Sequence, residues 1–182
     1  MKKLLFIVLA IGLFQFTFAQ KFISKTGHIW IYSYTPVEEI EAHNHQVVSI
    51  LDPASGDLQY SLLVKSFEFK VALMQEHFNE NYMESDKIPK SSFKGKITNL
   101  NKIDLKKDGT YPAEVSGDLT IHGVTKPVTT TGTIEVKGQT ITAKAKFTVS
   151  PKDYDIVIPS LVENHIAKTI DVNVDVPYTI NP

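Results

Sequence analysis

Histidine is the residue type with the widest chemical range in this sequence, and there are six of them. His43-Asn44-His45 puts two imidazoles on one face of an extended segment, which is half of a metal site. His77 and Glu80 stand at i and i+3 where the periodicity is helical. The sequence assigns a third ligand to neither pair, so no metal and no cofactor is expected. His28, His122 and His165 have no matched partner nearby in the sequence and read as solvated residues. Asp153 and Asp155 flank Tyr154 in a loop-like stretch, where acids are ordinarily hydrated. Ser-His-Asp spacing, a G-x-S-x-G elbow, a Gly-rich phosphate loop and paired acids in apolar surroundings are all missing from the sequence. The expectation is a protein that is not an enzyme.

The elements that would carry these side chains are mostly strands. Ala113, Val115, Gly117, Leu119 and Ile121 alternate with polar residues, and so do Val128 to Val136, Ile141 to Val149 and Ile170 to Val176. Period two over four segments predicts antiparallel strands with one wet and one dry face. Lys137-Gly138-Gln139 supplies a tight hairpin connection. In the N-terminal half, His28–Tyr34, Gln46–Leu51, Leu58–Phe69 and Phe93–Leu100 read as strands, with turn chemistry at Asp52-Pro53 and Ser55-Gly56-Asp57. Val71, Met74, Phe78 and Tyr82 recur at spacings of three and four, which predicts a short amphipathic helix. About eight strands and one helix suit a sandwich or a closed barrel. The dry faces of the C-terminal strands carry small residues: Ala113, Gly117, Gly132, Ala143 and Ala145. Either bulky side chains opposite fill that space, among them Phe67, Phe69, Phe93 and Phe147, or a lumen remains.

Residues 1–19 read as an export signal. Lys2 and Lys3 precede an apolar run from Leu4 to Phe14, and Thr17-Phe18-Ala19 fits a cleavage site. The run is shorter than the roughly 20 apolar residues of a membrane span. Residues 20–182 are then expected to form one domain, placed in a periplasm or outside the cell. Loss of Lys2 and Lys3 takes the formal charge from −1 to −3. The chain has no cysteine and no arginine, so its stability rests on burial, and nucleic acid is not an expected partner.

One segment is specific. GDLTIHGVTKPV (117–128) resembles the hallmark of the YceI-like family of bacterial secreted proteins. MQEHFNENYMESDKIPKSSFKGKI (74–97), AKFTVSPKDYDI (145–156) and IAKTIDVNVDV (166–176) are similar to further family stretches, in the same order. The resemblance implies an all-β fold: an extended lipocalin-like, eight-stranded antiparallel β-barrel with one short inserted helix. It also implies a long-chain amphiphile bound in the interior, such as a polyisoprenoid, an isoprenoid quinone or a fatty-acid-like lipid, held for transport or storage. Transient membrane contact for loading and a homodimer are further implied partners. Pro151 stands where the family often has arginine, two residues before Asp153-Tyr154, which removes that headgroup contact. Candidate lining residues are Phe67 and Phe69, Met74 and Phe78 on the helix, and Phe93 and Ile97. Leu119 and Ile121 follow, then Ile134, Phe147 and Val149. The apolar excursion from Ser150 to Lys168 is a candidate lid or rim. The competing expectation is a non-enzymatic stress-response or structural interaction protein whose barrel is filled by its own side chains.

Overall fold

Alternation of period two becomes a ring of strands in the computed structural model, which describes residues 21–179. The expected export segment, residues 1–19, lies outside the described residues. The strands are β1 (Phe22–Tyr34), β2 (Glu39–Leu51), β3 (Asp57–Leu63), β4 (Glu68–Phe69), β5 (Lys90–Ile97), β6 (Gly109–Ile121), β7 (Val124–Lys137), β8 (Thr140–Val149) and β9 (Ile170–Thr179). Pairing is antiparallel throughout, in the order β1-β9-β8-β7-β6-β5-β3-β2, and β1 pairs with β2 to close the ring. Two-residue β4 adds beside β2. The molecule is thus the expected closed eight-stranded barrel with one short helix, and closure leaves none of the eight as a free edge.

The hairpin in GDLTIHGVTKP turns on His122 and Gly123, with φ of 49° and 76°. Both central residues are left-handed, as a two-residue turn between twisted strands requires. Helix α1 (Ala72–His77) runs on into a π-helical turn, Phe78–Tyr82, in which the Met83 N–H donates to the Phe78 carbonyl at 2.9 Å. All four residues that predicted the helix, Val71, Met74, Phe78 and Tyr82, face the barrel interior.

All four N-terminal strands differ from expectation: β1 begins at Phe22 rather than His28, β5 runs Lys90–Ile97 rather than 93–100, and a change of phase explains the other two. Residues 58–69 were expected as one strand, yet β3 stops at Leu63 and a 3-10 turn, Val64–Ser66, precedes β4. Leu58, Tyr60 and Leu62 face inward, and so do Phe67 and Phe69. An even-numbered set followed by an odd-numbered set cannot share one face of a continuous strand. The turn absorbs the slip and buries Val64. Strand β2 begins at Glu39 rather than Gln46, because a β-bulge near His45 reverses its phase. Ala42 and Asn44 are buried before the bulge; Val47, Ser49 and Leu51 are buried after it.

The barrel has a filled end and a hollow one. Leu51, Leu58, Ile97, Ile134, Ile141, Val176 and Tyr178 pack the end that carries the β2–β3, β5–β6 and β7–β8 connections. Within that core, the Ser49 hydroxyl lies 2.5 Å from the Tyr178 hydroxyl and donates to the Gln59 carbonyl at 2.9 Å, and the Tyr178 hydroxyl reaches Tyr60 at 3.5 Å. Burial pushes the Tyr178 phenol well above its ordinary value of 10.0 and raises Tyr60 as well. The folded state thus favours both phenols in the neutral form. Their contribution is fully present below pH 10 and is lost as the pH rises beyond it, where the unfolded chain ionises first. Urea denaturation should accordingly show stability falling as the pH rises above 10, and Tyr178→Phe should flatten that fall. At pH 7 the same variant should cost about 1–2 kcal/mol, through loss of the buried hydroxyl pair. An equally steep alkaline loss in the variant would remove Tyr178 as its source.

Candidate functional site

Above the packed end lies a cavity of about 510 Å³, within the range of about 300–1,000 Å³ typical of small-molecule sites. All eleven residues proposed from the sequence face it. Phe67 and Phe69 come from the turn and strand after β3, and both pack on Phe78, with ring centroids 5.6 and 4.9 Å apart. Met74 and Phe78 cover it from α1 and the π-helical turn. Phe93 and Ile97 enter from β5, Leu119 and Ile121 from β6, Ile134 from β7, and Phe147 and Val149 from β8. Ile97 and Ile134 also belong to the packed core and form part of the floor.

The small residues are used in both of the ways the sequence allowed. On β5 and β6, Gly95 and Gly117 face each other, and the Phe93 ring lies across them; a Cβ at Gly95 would meet Phe93 Cζ at 2.6 Å and Gly117 Cα at 2.7 Å. Here the missing side chains are replaced by an aromatic lid over bare backbone. Gly132, Ala143 and Ala145 instead border the open space. Their small size leaves the lumen wide on the β7–β8 side.

Sequence reasoning missed part of the lining. Ile29 and Ile31 of β1, Tyr60 and Leu62 of β3, and Val172 and Val174 of β9 also face the cavity. The alternation of β1 and β9 already pointed inward at these positions. From the excursion between β8 and β9, Pro151, Tyr154, Ile156, Ile158, Val162 and Ile166 line the mouth. Three contacts hold this segment down. The His122 Nδ1 meets the Tyr154 carbonyl at 3.1 Å, and His165 Nδ1 pairs with Glu38 Oε2 at 3.0 Å. Further along, the Ala167 N–H donates to Ser33 Oγ at 2.9 Å. The excursion is therefore a fastened rim.

These contacts correct the reading of three histidines as solvated. His122 is largely buried under Tyr154, with its Nε2 at 3.5 Å from Glu84. His165 ties the rim to the β1–β2 turn. His28 stacks on His45 and Trp30, and its pKa is lowered by burial and by the imidazoles of His45 and His43. His77, by contrast, faces the cavity, and Glu80 stays in the π-helical turn. Asp153 and Asp155 are exposed, as expected. Pro151 is buried in the cavity wall, so the site of the family's arginine is apolar here.

Residues 19–178 match the model of the YceI-like domain. A polyisoprenoid-binding domain from Saccharophagus degradans, implicated in plant cell wall breakdown, superposes with a TM-score of 0.76 at 13% identity, covering 88% of this chain and 98% of that one. BcnA of Burkholderia cenocepacia gives 0.69 at 17% identity, covering 84% and 96%. A YceI protein of Campylobacter jejuni gives 0.59 at 19% identity, covering 75% and 81%. At these identities the likeness is one of fold. No curated protein matches the chain in sequence. With the family model spanning nearly all of the described barrel, the chain belongs to the YceI-like family.

Proposed function

We propose that this protein is an exported, non-catalytic carrier that holds the apolar tail of a long-chain amphiphile in the hollow half of its barrel. One observation carries the reading: a cavity of about 510 Å³ walled almost wholly by aliphatic and aromatic side chains. If each tail carbon needs roughly the ~30 Å³ of a liquid water, on the order of fifteen to twenty carbons fit, or three to four isoprene units. Each unit gains on the order of 2–3 kcal/mol on leaving water. The gross gain of roughly 6–12 kcal/mol must offset chain ordering and lost rigid-body freedom, and micromolar affinity needs about 8. Only the upper end of that range leaves enough for micromolar binding by the tail alone, so apolar contacts at the mouth or a headgroup contact would add to it. The polyisoprenoid binding named for the Saccharophagus degradans domain supports the same ligand class.

The mouth bears on the headgroup. Its polar residues include Glu38 and His165, already paired, and His77, with hydroxyls such as Ser33, Tyr82 and Ser91. With Pro151 in place of arginine and a carboxylate at the rim, an uncharged alcohol, quinone or amide head fits better than a phosphate. Exposed apolar residues project from the same end: Val37 in the β1–β2 turn, Leu73 on α1, and Val157 and Leu161 on the excursion. Such a rim suits brief contact with a lipid surface during loading.

The test is native mass spectrometry and organic extraction of protein purified from its own host. A stoichiometric apolar lipid is expected. Protein that carries no lipid and fails to bind a fluorescent prenyl or fatty-acyl probe would leave the interaction-protein reading instead. Leu161→Asp should slow probe uptake from vesicles while leaving affinity for free probe unchanged. Equal uptake rates would remove the membrane-contact part of the proposal.

A further inference from the structure

Outside the barrel wall, the β1–β2 hairpin gathers three of the six histidines. Ile29, Ile31 and Ser33 face the lumen, so alternation turns His28, Trp30 and Tyr32 outward. On β2, the burial of Ala42 and Asn44 likewise turns His43 and His45 outward. Continuing the register of Trp30↔His43 and Ile29↔Asn44 would set His28 opposite His45 and diagonal to His43, already on one outer face. The register instead runs from Ile29↔Asn44 to Gly27↔Val47, so that His45 and Gln46 together oppose His28. This is a β-bulge, a device that re-aims side chains. Fully buried Asn44 holds it: its Oδ1 accepts the Gln46 N–H at 2.9 Å, and its Nδ2 donates to the Leu63 carbonyl at 2.9 Å.

The outcome is a convergence that sequence spacing does not contain. His28 Nε2 lies 3.0 Å from His43 Nδ1, and one nitrogen from each of the three rings lies within 4.8 Å of the others. Among the described residues, this is the one group of three such side chains brought so close. From this geometry we infer that His28, His43 and His45 bind one borderline first-row divalent cation, Zn(II) or Cu(II), on the outer face of the barrel.

Neutral imidazole is a good donor for these ions. At metal–nitrogen distances of about 2.0–2.1 Å, tetrahedral ligand nitrogens lie about 3.3 Å apart. The His28–His43 pair already stands close to that separation. The three rings are now stacked, with interplanar angles of 4–20°, so coordination requires them to fan until their lone pairs converge. His45 is exposed and free to swing. Nearby charge favours a cation, since Glu41 Oε1 lies 3.5 Å from His43 Nε2 and Asp175 stands opposite His28 in the β1–β9 register. Three protein ligands leave one position open to water. The bound ion would clip β1 to β2 across the bulge.

Trp30 is the single tryptophan of the chain, and its ring centroid lies 4.7 Å from that of His28 and 6.4 Å from that of His43. Paramagnetic Cu(II) bound there should quench its emission. The experiment titrates Cu(II) into the exported form of the protein, prepared without a histidine tag. Quenching should saturate at one equivalent, and excess EDTA should restore the emission. His45→Gln should weaken Cu(II) binding at least tenfold, and the triple variant His28→Gln/His43→Gln/His45→Gln should abolish stoichiometric quenching while keeping its circular dichroism. Quenching that never saturates, or a triple variant that binds like the parent, would overturn the site. Should the triple variant fail to fold, exposed His45 decides the matter: unchanged affinity in His45→Gln overturns the site as well. The lipid reading is untouched by either result.

Discussion

Ala145→Phe is expected to weaken binding of a prenyl or fatty-acyl probe by roughly 30- to 150-fold while the barrel keeps its fold. Ala145 lies on β8, opposite Gly132 on one side and Val174 on the other, and borders the cavity. A phenyl ring placed there occupies space that a tail would otherwise fill. Excluding about one isoprene unit removes on the order of 2–3 kcal/mol of burial, and each 1.4 kcal/mol is about tenfold in affinity. The ring enters an open lumen rather than a packed core, so the strain of overpacking is avoided. Fluorescent-probe displacement measures the affinity, and thermal unfolding without ligand checks the fold. Unchanged affinity would mean that the tail does not pass this wall.

Gly117→Ala should be among the most destabilising single substitutions, at about 3 kcal/mol, the upper end of the overpacking range. A Cβ at Gly117 would collide with the backbone of β5 at Gly95 and Lys94, and with Phe93 Cζ at 2.7 Å. The obstacles are mostly main chain in a paired ladder, so no rotamer change relieves them. Gly138 provides the contrast. It sits in the β7–β8 turn with φ of 58°, and a methyl group added there would meet no atom within 4 Å, so Gly138→Ala should cost only about 1 kcal/mol of backbone strain. Urea denaturation of the two variants separates crowding from conformational strain. Equal losses would mean that β5 and β6 can part at Gly95 and Gly117 to admit a methyl group.

The strongly alternating C-terminal strands were legible because each holds one phase from end to end. β6 to β9 begin and end within a few residues of the sequence pattern, with extensions such as Gly109–Pro112 where polar turn chemistry blurs the start. The N-terminal strands were harder for a physical reason. β2 changes phase at its bulge, and the 58–69 segment changes phase at Val64–Ser66. A period-two search scores such a strand as two weak fragments. Cavity-facing positions were legible where alternation and bulk agreed, as at Phe93, Leu119 and Phe147. The lining contributed by β1, β9 and the excursion followed the same logic but carried no comparable aromatic signal.

Residue order by itself determined the antiparallel class, the helix face, the hairpin at His122-Gly123 and the greasy character of the wall, because each depends on neighbours one to four positions away. Only the folded barrel decided which half is packed and which is hollow, since that depends on how side chains from eight strands meet at one height along the axis. It alone also brought His28 within reach of His43 and His45. That meeting depends on the pairing of β1 with β2, which sets Trp30 opposite His43 and His28 beside His45, and the register between two strands leaves no trace in residue type or spacing.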